Sequence, residues 1–269
     1  MLGYIVRDAG RNARPPVLRT FRAFSTSNQI RINVLHEDEH ILAVLKPRGM
    51  PVHGGAKVGA QDSLIARLNS SSRPPLHLVH RLDEHTTGVL VLAKSKDVAR
   101  LLERAFSEAL VKKTYVAAVV PEPARIGTRW RGEGTIRAPV AGKAATTHFS
   151  TLPGGDGETC RLLELTPITG RTHQLRIHCA NSLGAPILGD TKYGRTRVGR
   201  QQELLEKVGG SRSNHRKMPP LFLHCSTVKV PLIKETATRI TLELSMFTRI
   251  DAPLPDHFAT LQSIMRSDN

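Results

Sequence analysis

The segment 80–88, His80-Arg81-Leu82-Asp83-Glu84-His85-Thr86-Thr87-Gly88, sets an acid between an apolar run and a glycine. The run 76–82 before it reads as a strand, which would put Arg81 and Asp83 on one side of the chain. A turn containing Gly88 would then hold the Asp83 carboxylate at the edge of a sheet. So placed, a carboxylate can act as a nucleophile or a base, or simply cap the turn. Two later clusters tilt the balance toward chemistry. Lys113-Thr114-Tyr115 opens a β-type run. Farther on, Arg171, His173, Arg176 and His178 crowd a strand-to-helix junction, and a helix start bearing basic side chains suits an anion.

Other motifs offer less. His36-Glu37-Asp38-Glu39-His40 matches H-E-x-x-H. A metalloprotease needs that pattern on a helix, so that both imidazoles share a face. Here it lies between two β-type runs, so an acidic hairpin turn is the better reading. Ala141-Gly142-Lys143-Ala144 imitates the end of a phosphate-binding loop. Arg137 stands where glycine is required, and Ala144 has no hydroxyl for Mg²⁺. Residues 154–157 (Gly-Gly-Asp-Gly) read as a turn.

The elements that must position these groups are mixed. Residues 31–46 alternate as a hairpin, ended by Pro47 and Gly49. A short helix is expected over 63–68 and a clear one over 96–110. In the latter, Val98, Leu101, Leu102, Ala105, Phe106 and Ala109 fall on one face. Strands are expected at 89–93, 114–120, 144–151, 160–166, 221–230 and 238–244. A short helix is expected over 173–182, stopped by Gly184 and Pro186. The order points to an α+β domain: a mixed or antiparallel central sheet with flanking helices and loops.

The chain has 269 residues, 39 Lys+Arg and 23 Asp+Glu, a net charge of +16. That balance favours a polyanionic partner, RNA or DNA first. Cys160, Cys179 and Cys225 form no CxxC pair, so neither a disulfide framework nor a structural zinc site is signalled. No apolar run approaches the ~18 residues of a membrane span. Residues 1–29 hold five arginines, no lysine and one acid. That is the composition of a mitochondrial presequence, expected to be disordered. The basic stretch 190–219 has eight basic residues and three acids. Gln201 to Val208 within it could form a short helix.

Taken together, the motifs resemble the RluA-type pseudouridine synthases. The family pattern H-R-L-D-x-x-T-[ST]-G corresponds to 80–88, K-x-Y to 113–115, and T-G-R-[ST]-H-Q-[IL]-R-x-H to 169–178. G-D-x-x-Y-G corresponds to 189–194, L-H-A to Leu223-His224-Cys225, and K-P-x-G-[ML] to 46–50. The resemblance spans about 31–245 and departs from the pattern mainly at Thr87 and Cys225. It implies a catalytic domain over 30–269 with no S4 domain, preceded by the presequence 1–29.

The resemblance also implies the reaction. Uridine in RNA becomes pseudouridine: C1′–N1 breaks, the uracil turns, and C1′ joins C5, with no cofactor and no metal. By carry-over Asp83 is the catalytic carboxylate, acting at C1′ or as a base at the ribose. Arg176 is its cationic partner, and Tyr115 stacks near the uracil and could remove the C5 proton. The target base must be flipped out of folded RNA. Arg81, Arg171 and His173 are candidate RNA-binding residues, and Arg195, Arg197 and Arg200 are expected to grip the backbone. A chain of this kind resembles a fungal-type mitochondrial large-subunit rRNA enzyme, a monomer of the matrix with no membrane role. Mitochondrial tRNA is the alternative substrate. Two rival readings remain. A glycosidase would need two placed carboxylates, yet Glu84 points away from Asp83 if the chain is extended. A non-catalytic ribosome-assembly factor on the same fold has no need of Asp83, Tyr115 and Arg176 together.

Overall fold

The computed structural model describes residues 20–23, 30–54, 62–70, 74–121, 132–153, 159–194, 199–209 and 219–267. Among the described residues eleven strands form one sheet. They are β1 (Thr20–Ala23), β2 (Ile30–Glu37), β3 (Ile41–Lys46), β4 (His77–Leu78), β5 (Thr87–Ala93), β6 (Lys112–Val119), β7 (Glu133–Arg137), β8 (Thr146–Thr151), β9 (Arg161–Pro167), β10 (Leu223–Glu235) and β11 (Ile240–Asp251). The order is β1-β2-β3-β5-β10-β6-β9-β8-β7, with β4 added on β5 and β11 on β10. β5 and β10 are parallel and the other pairs antiparallel. The α+β expectation with a mixed sheet holds.

β5 is the spine. All seven of its residues are buried, as expected for a strand covered on both faces. Helix α2 (Lys96–Ser107) packs against it through Val98, Ala99, Leu102 and Ala105, and Ser95 caps its start by accepting from Val98 N–H. Helix α1 (Leu64–Asn69) is capped in the same way by Ser63. Where β5 runs beside β10, Gly88 has φ +117°, and a Cβ there would lie 2.2 Å from the Cys225 carbonyl oxygen. Only glycine permits that approach.

Several expectations are corrected. Of the strand expected over 76–82, only His77–Leu78 is extended in the sheet. The chain then leaves it, because the His80 ring supplies an acceptor to Val91 N–H (2.9 Å) and stacks on Phe106. Gly88 lies inside β5 and not in the turn before it. The helix expected over 173–182 is α3 (Gln174–Ile177) followed by a π turn, His178–Ser182. β10 and β11 are longer than expected and form a hairpin with a bulge at Pro231/Leu232. β7 was not anticipated, nor was α5 (Asp256–Ser267), which buries Phe258, Leu261 and Met265. Phe258 packs on Phe222 at 5.3 Å between ring centroids. Burying such a ring contributes roughly 1.5–3 kcal/mol.

The H-E-x-x-H stretch is a hairpin turn. Asp38 accepts from the backbone N–H groups of His40 and Ile41 and pairs with the His36 ring, each at 2.8 Å. The 141–144 stretch is a tight turn closed by the Val140/Lys143 bridge. The turn at 154–157 lies outside the described residues. So does the presequence expected over 1–29, except for Thr20–Ala23, which pair with β2. Helix α4 (Arg200–Gly209) occupies the middle of the basic stretch. Among the described residues no helix is long and apolar enough to cross a membrane.

Candidate active site

Tyr115 on β6 is opposite Cys225 on β10 and Leu165 on β9. Cys225 in turn is opposite Gly88 at the start of β5. The segment leading into β5 and the segment leaving β9 therefore meet over the same part of the sheet. They line a cavity of about 570 Å³, together with the end of α2 and the start of β6. Asp83, Tyr115, Arg81, Arg171, His173 and Arg176 all line it. Six separate sequence expectations thus converge on one space.

Asp83 sits in a turn, with Thr86 N–H donating to its carbonyl at 3.1 Å. Lys46 clamps that turn from below. Fully buried, its Nζ donates to the carbonyls of Pro47 (2.9 Å), Glu84 (2.7 Å) and Thr86 (2.9 Å). Three donors meet three acceptors, which is the complement of a charged ammonium. Burial pulls the Lys46 pKa down to about 7, with Glu84 and Asp83 opposing. The three carbonyls also favour the charged form. This role was missed: the K-P-x-G match gave no sign that Lys46 reaches forty residues along the chain.

Two side chains face the Asp83 carboxylate. Arg176 Nη1 lies 3.4 Å and His173 Nε2 3.7 Å from Oδ2. The expected Arg176–Asp83 pair is present, but Asp83 is the lesser partner. Arg176 makes its short contacts with Asp190: Nε to Oδ2 at 2.7 Å and Nη2 to Oδ1 at 2.8 Å. Burial opposes the charge on both groups. Their mutual hydrogen bonds and charges outweigh it, raising the Arg176 pKa and lowering that of Asp190. Asp190 was missed as a site residue, although the G-D-x-x-Y-G match contains it. Gly189 before it has φ +79°, and a Cβ there would lie 1.8 Å from the Pro220 carbonyl oxygen.

Tyr115 is buried, and burial pushes its phenol pKa well above the ordinary value, with Cys225 and Asp83 acting in the same direction. The pocket thus opposes the ionised phenolate that proton removal at C5 would require. What Tyr115 offers the cavity is a ring face and a neutral hydroxyl. Lys113 also lines the cavity, its Nζ 5.6 Å from the centre of the Phe106 ring.

Arg81 is exposed at the rim. Arg171 is exposed too, its Nε donating to the Ala144 carbonyl at 3.2 Å. His178 is buried away from the cavity, between Thr147 Oγ1 and the Ala138 carbonyl (both 2.9 Å). Arg195 and Arg197 lie outside the described residues, and Arg200 is the first residue of α4. Among the described residues no three His, Cys, Asp or Glu side chains are grouped to hold a metal ion.

A family model described as RNA pseudouridylate synthase matches residues 40–181. The mitochondrial pseudouridylate synthase RPUSD4 of Bos taurus is 34% identical over 250 residues, 78% of this chain and 64% of that protein. Ribosomal large subunit pseudouridine synthase C of Rickettsia bellii is 36% identical over 182 residues, 61% of this chain and 58% of that protein. The chain thus spans less than two thirds of the length of these curated relatives. The solved structure titled human RNA Pseudouridylate Synthase Domain Containing 4 has 30% identity and a TM-score of 0.63. It covers 87% of this chain and is itself covered over 92% of its length.

Proposed function

The chain belongs to the RNA pseudouridylate synthase family, and from that premise we propose that it isomerises uridine to pseudouridine in mitochondrial large-subunit rRNA. The observation that carries the reading is the Asp83 carboxylate, half-buried in a cavity between Arg176 and His173 with the Tyr115 ring in the same space. A carboxylate set beside a fixed cation is suited to chemistry at an anomeric carbon.

Each residue takes a part in a balanced isomerisation. Asp83 initiates cleavage of C1′–N1, by attack at C1′ or as a base at the sugar, and both roles need it ionised. Arg176 keeps it so. The freed uracil turns against the Tyr115 ring, C5 bonds to C1′, C5 loses its proton to solvent, and N1 gains one. No oxidant or reductant is consumed. Arg81 at the rim fills the space the flipped base leaves or holds its phosphate. Arg171 contributes to RNA binding. Arg195, Arg197 and Arg200 bind the RNA backbone, an assignment that rests on charge alone.

The substrate reading joins the printed names of two relatives, one mitochondrial and one a ribosomal large-subunit enzyme, with the presequence-like composition of 1–29. The proposed organisation is that presequence followed by a catalytic domain over 30–269 acting as a monomer in the matrix. Mapping pseudouridines in mitochondrial RNA with and without the gene tests this. Loss of a site in large-subunit rRNA supports it. Loss confined to tRNA would replace the substrate and keep the reaction.

A further inference from the structure

Both side chains that face Asp83 are held from behind by one short turn, 190–194. Asp190 grips Arg176 through two of its guanidinium nitrogens, Nε and Nη2, leaving Nη1 as the one aimed at Asp83. Tyr193, three residues on, places its hydroxyl 2.9 Å from His173 Nδ1, so Nε2 is the ring atom aimed at Asp83. The Asp190 carboxylate also closes its own turn, accepting from the N–H groups of Lys192 (2.9 Å) and Tyr193 (3.0 Å). Gly194 N–H returns to the Asp190 carbonyl at 3.0 Å. The Tyr193 ring completes the link: the Arg176 guanidinium lies 5.3 Å from its centre, and the His173 ring meets it edge-on at 5.6 Å.

We propose that the 190–194 turn is the positioning device for Asp83, with Asp190 and Tyr193 as its positioning residues. The inference rests on the pseudouridine synthase reading for its consequence, though not for its geometry. Asp190 fixes the plane of the guanidinium, because a two-pronged contact allows one orientation. With four hydrogen bonds, its carboxylate uses its acceptor capacity inside this cluster. Tyr193 fixes the histidine tautomer. Burial lowers the His173 pKa, assisted by Arg176 and Lys192 and opposed by Asp83 and Asp190, so one ring nitrogen carries the proton. If Tyr193 donates to Nδ1, the proton sits on Nε2 and faces the Asp83 carboxylate favourably. The opposite assignment would turn a lone pair on Nε2 toward a carboxylate. His173 is also held at φ +57°, a conformation costly for a non-glycine residue and kept only where surroundings enforce it. The two positioning residues do not themselves line the cavity, and they act through Arg176 and His173, which do.

The test compares wild type, Tyr193→Phe and Asp190→Asn as full chains. Three quantities are read: the single-turnover rate at saturating RNA, RNA affinity, and the His173 tautomer by ring-¹⁵N NMR. Expected is an about tenfold slower rate for Tyr193→Phe and about 100-fold for Asp190→Asn, the scale set by small misplacements of reacting groups. Affinity should stay within about twofold, because catalytic alignment is lost and not binding. The tautomer should be Nε2–H in wild type and mixed in Tyr193→Phe. Tyr193→Phe removes one hydroxyl, so it keeps the test decisive should Asp190→Asn fail to fold. An unchanged rate with an unchanged tautomer would overturn the proposal, as would loss of affinity in proportion to rate. If wild type forms no pseudouridine, the functional reading fails, and the tautomer comparison still decides whether Tyr193 positions His173.

Discussion

Replacing Arg176 with lysine keeps the positive charge and removes the geometry. The guanidinium makes two short contacts with Asp190, whose side chain has no exposed surface, and a third contact with Asp83. A lysine ammonium is a single point on a flexible stem. It can retain one Asp190 contact and cannot reach Asp83 at the same time. A hydrogen bond to a charged group contributes about 1.5–3 kcal/mol. The buried Asp190 carboxylate left short of a donor adds a desolvation cost. Arg176→Lys should therefore lower unfolding free energy by about 2–4 kcal/mol, read from urea midpoints at constant slope. The catalytic loss should be larger in effect, about 100-fold at saturating RNA, because Asp83 loses its nearest cation. The assay is single-turnover pseudouridine formation with RNA affinity measured beside it. Near-wild-type turnover would show that another cation serves Asp83. Lost stability with full turnover would reduce the Arg176–Asp190 pair to a fold element.

Gly88→Ala should destabilise the protein by about 3 kcal/mol or more, since a Cβ would meet the Cys225 carbonyl at 2.2 Å in a backbone with φ +117°; a denaturation midpoint equal to wild type would refute the β5–β10 register. Acid should destabilise the fold through His80 and His224. Burial lowers their pKa values to about 3 and about 4 from 6.5, Lys113 adding at His80 and His257 at His224, where a bond to Ala252 opposes. Such groups leave stability intact above the unfolded value, and the unfolded chain gains protons first as pH falls. Stability should then drop by up to roughly 1.4 kcal/mol per pH unit for each histidine between pH 6.5 and 4. A melting temperature that stays flat over that interval would contradict it.

Legibility followed the physics of each segment. α2 was readable because Val98, Leu102 and Ala105 recur at helical spacing behind a capping Ser95. β5 was readable as an apolar run. The 76–82 stretch misled because Leu76, Val79 and Leu82 are all buried from an irregular segment, and alternation does not reveal that a histidine ring has taken over a strand's hydrogen bonding. α5 carried Phe258, Leu261 and Met265 at helical spacing, and its signal was passed over. β7 offered little, with Ile136 its only buried side chain. In the site, Asp83, Tyr115 and Arg176 came from motif resemblance. Asp190 and Lys46 did not, because their roles lie in partners that the fold alone brings together: Arg176, fourteen residues from Asp190, and the Thr86 carbonyl, forty from Lys46.

If the Asp83 carboxylate performs the isomerisation in this cavity, C5 of the target uracil must exchange its hydrogen for a bond to C1′. RNA carrying tritium at uracil C5 releases it to water only when C5 forms the new glycosidic bond. Wild-type protein should release tritium and leave pseudouridine in the RNA. Asp83→Asn, nearly identical in shape, should bind the same RNA and release none. Substantial tritium release by the folded asparagine variant, or none by wild type on mitochondrial rRNA and tRNA alike, would contradict that role for Asp83.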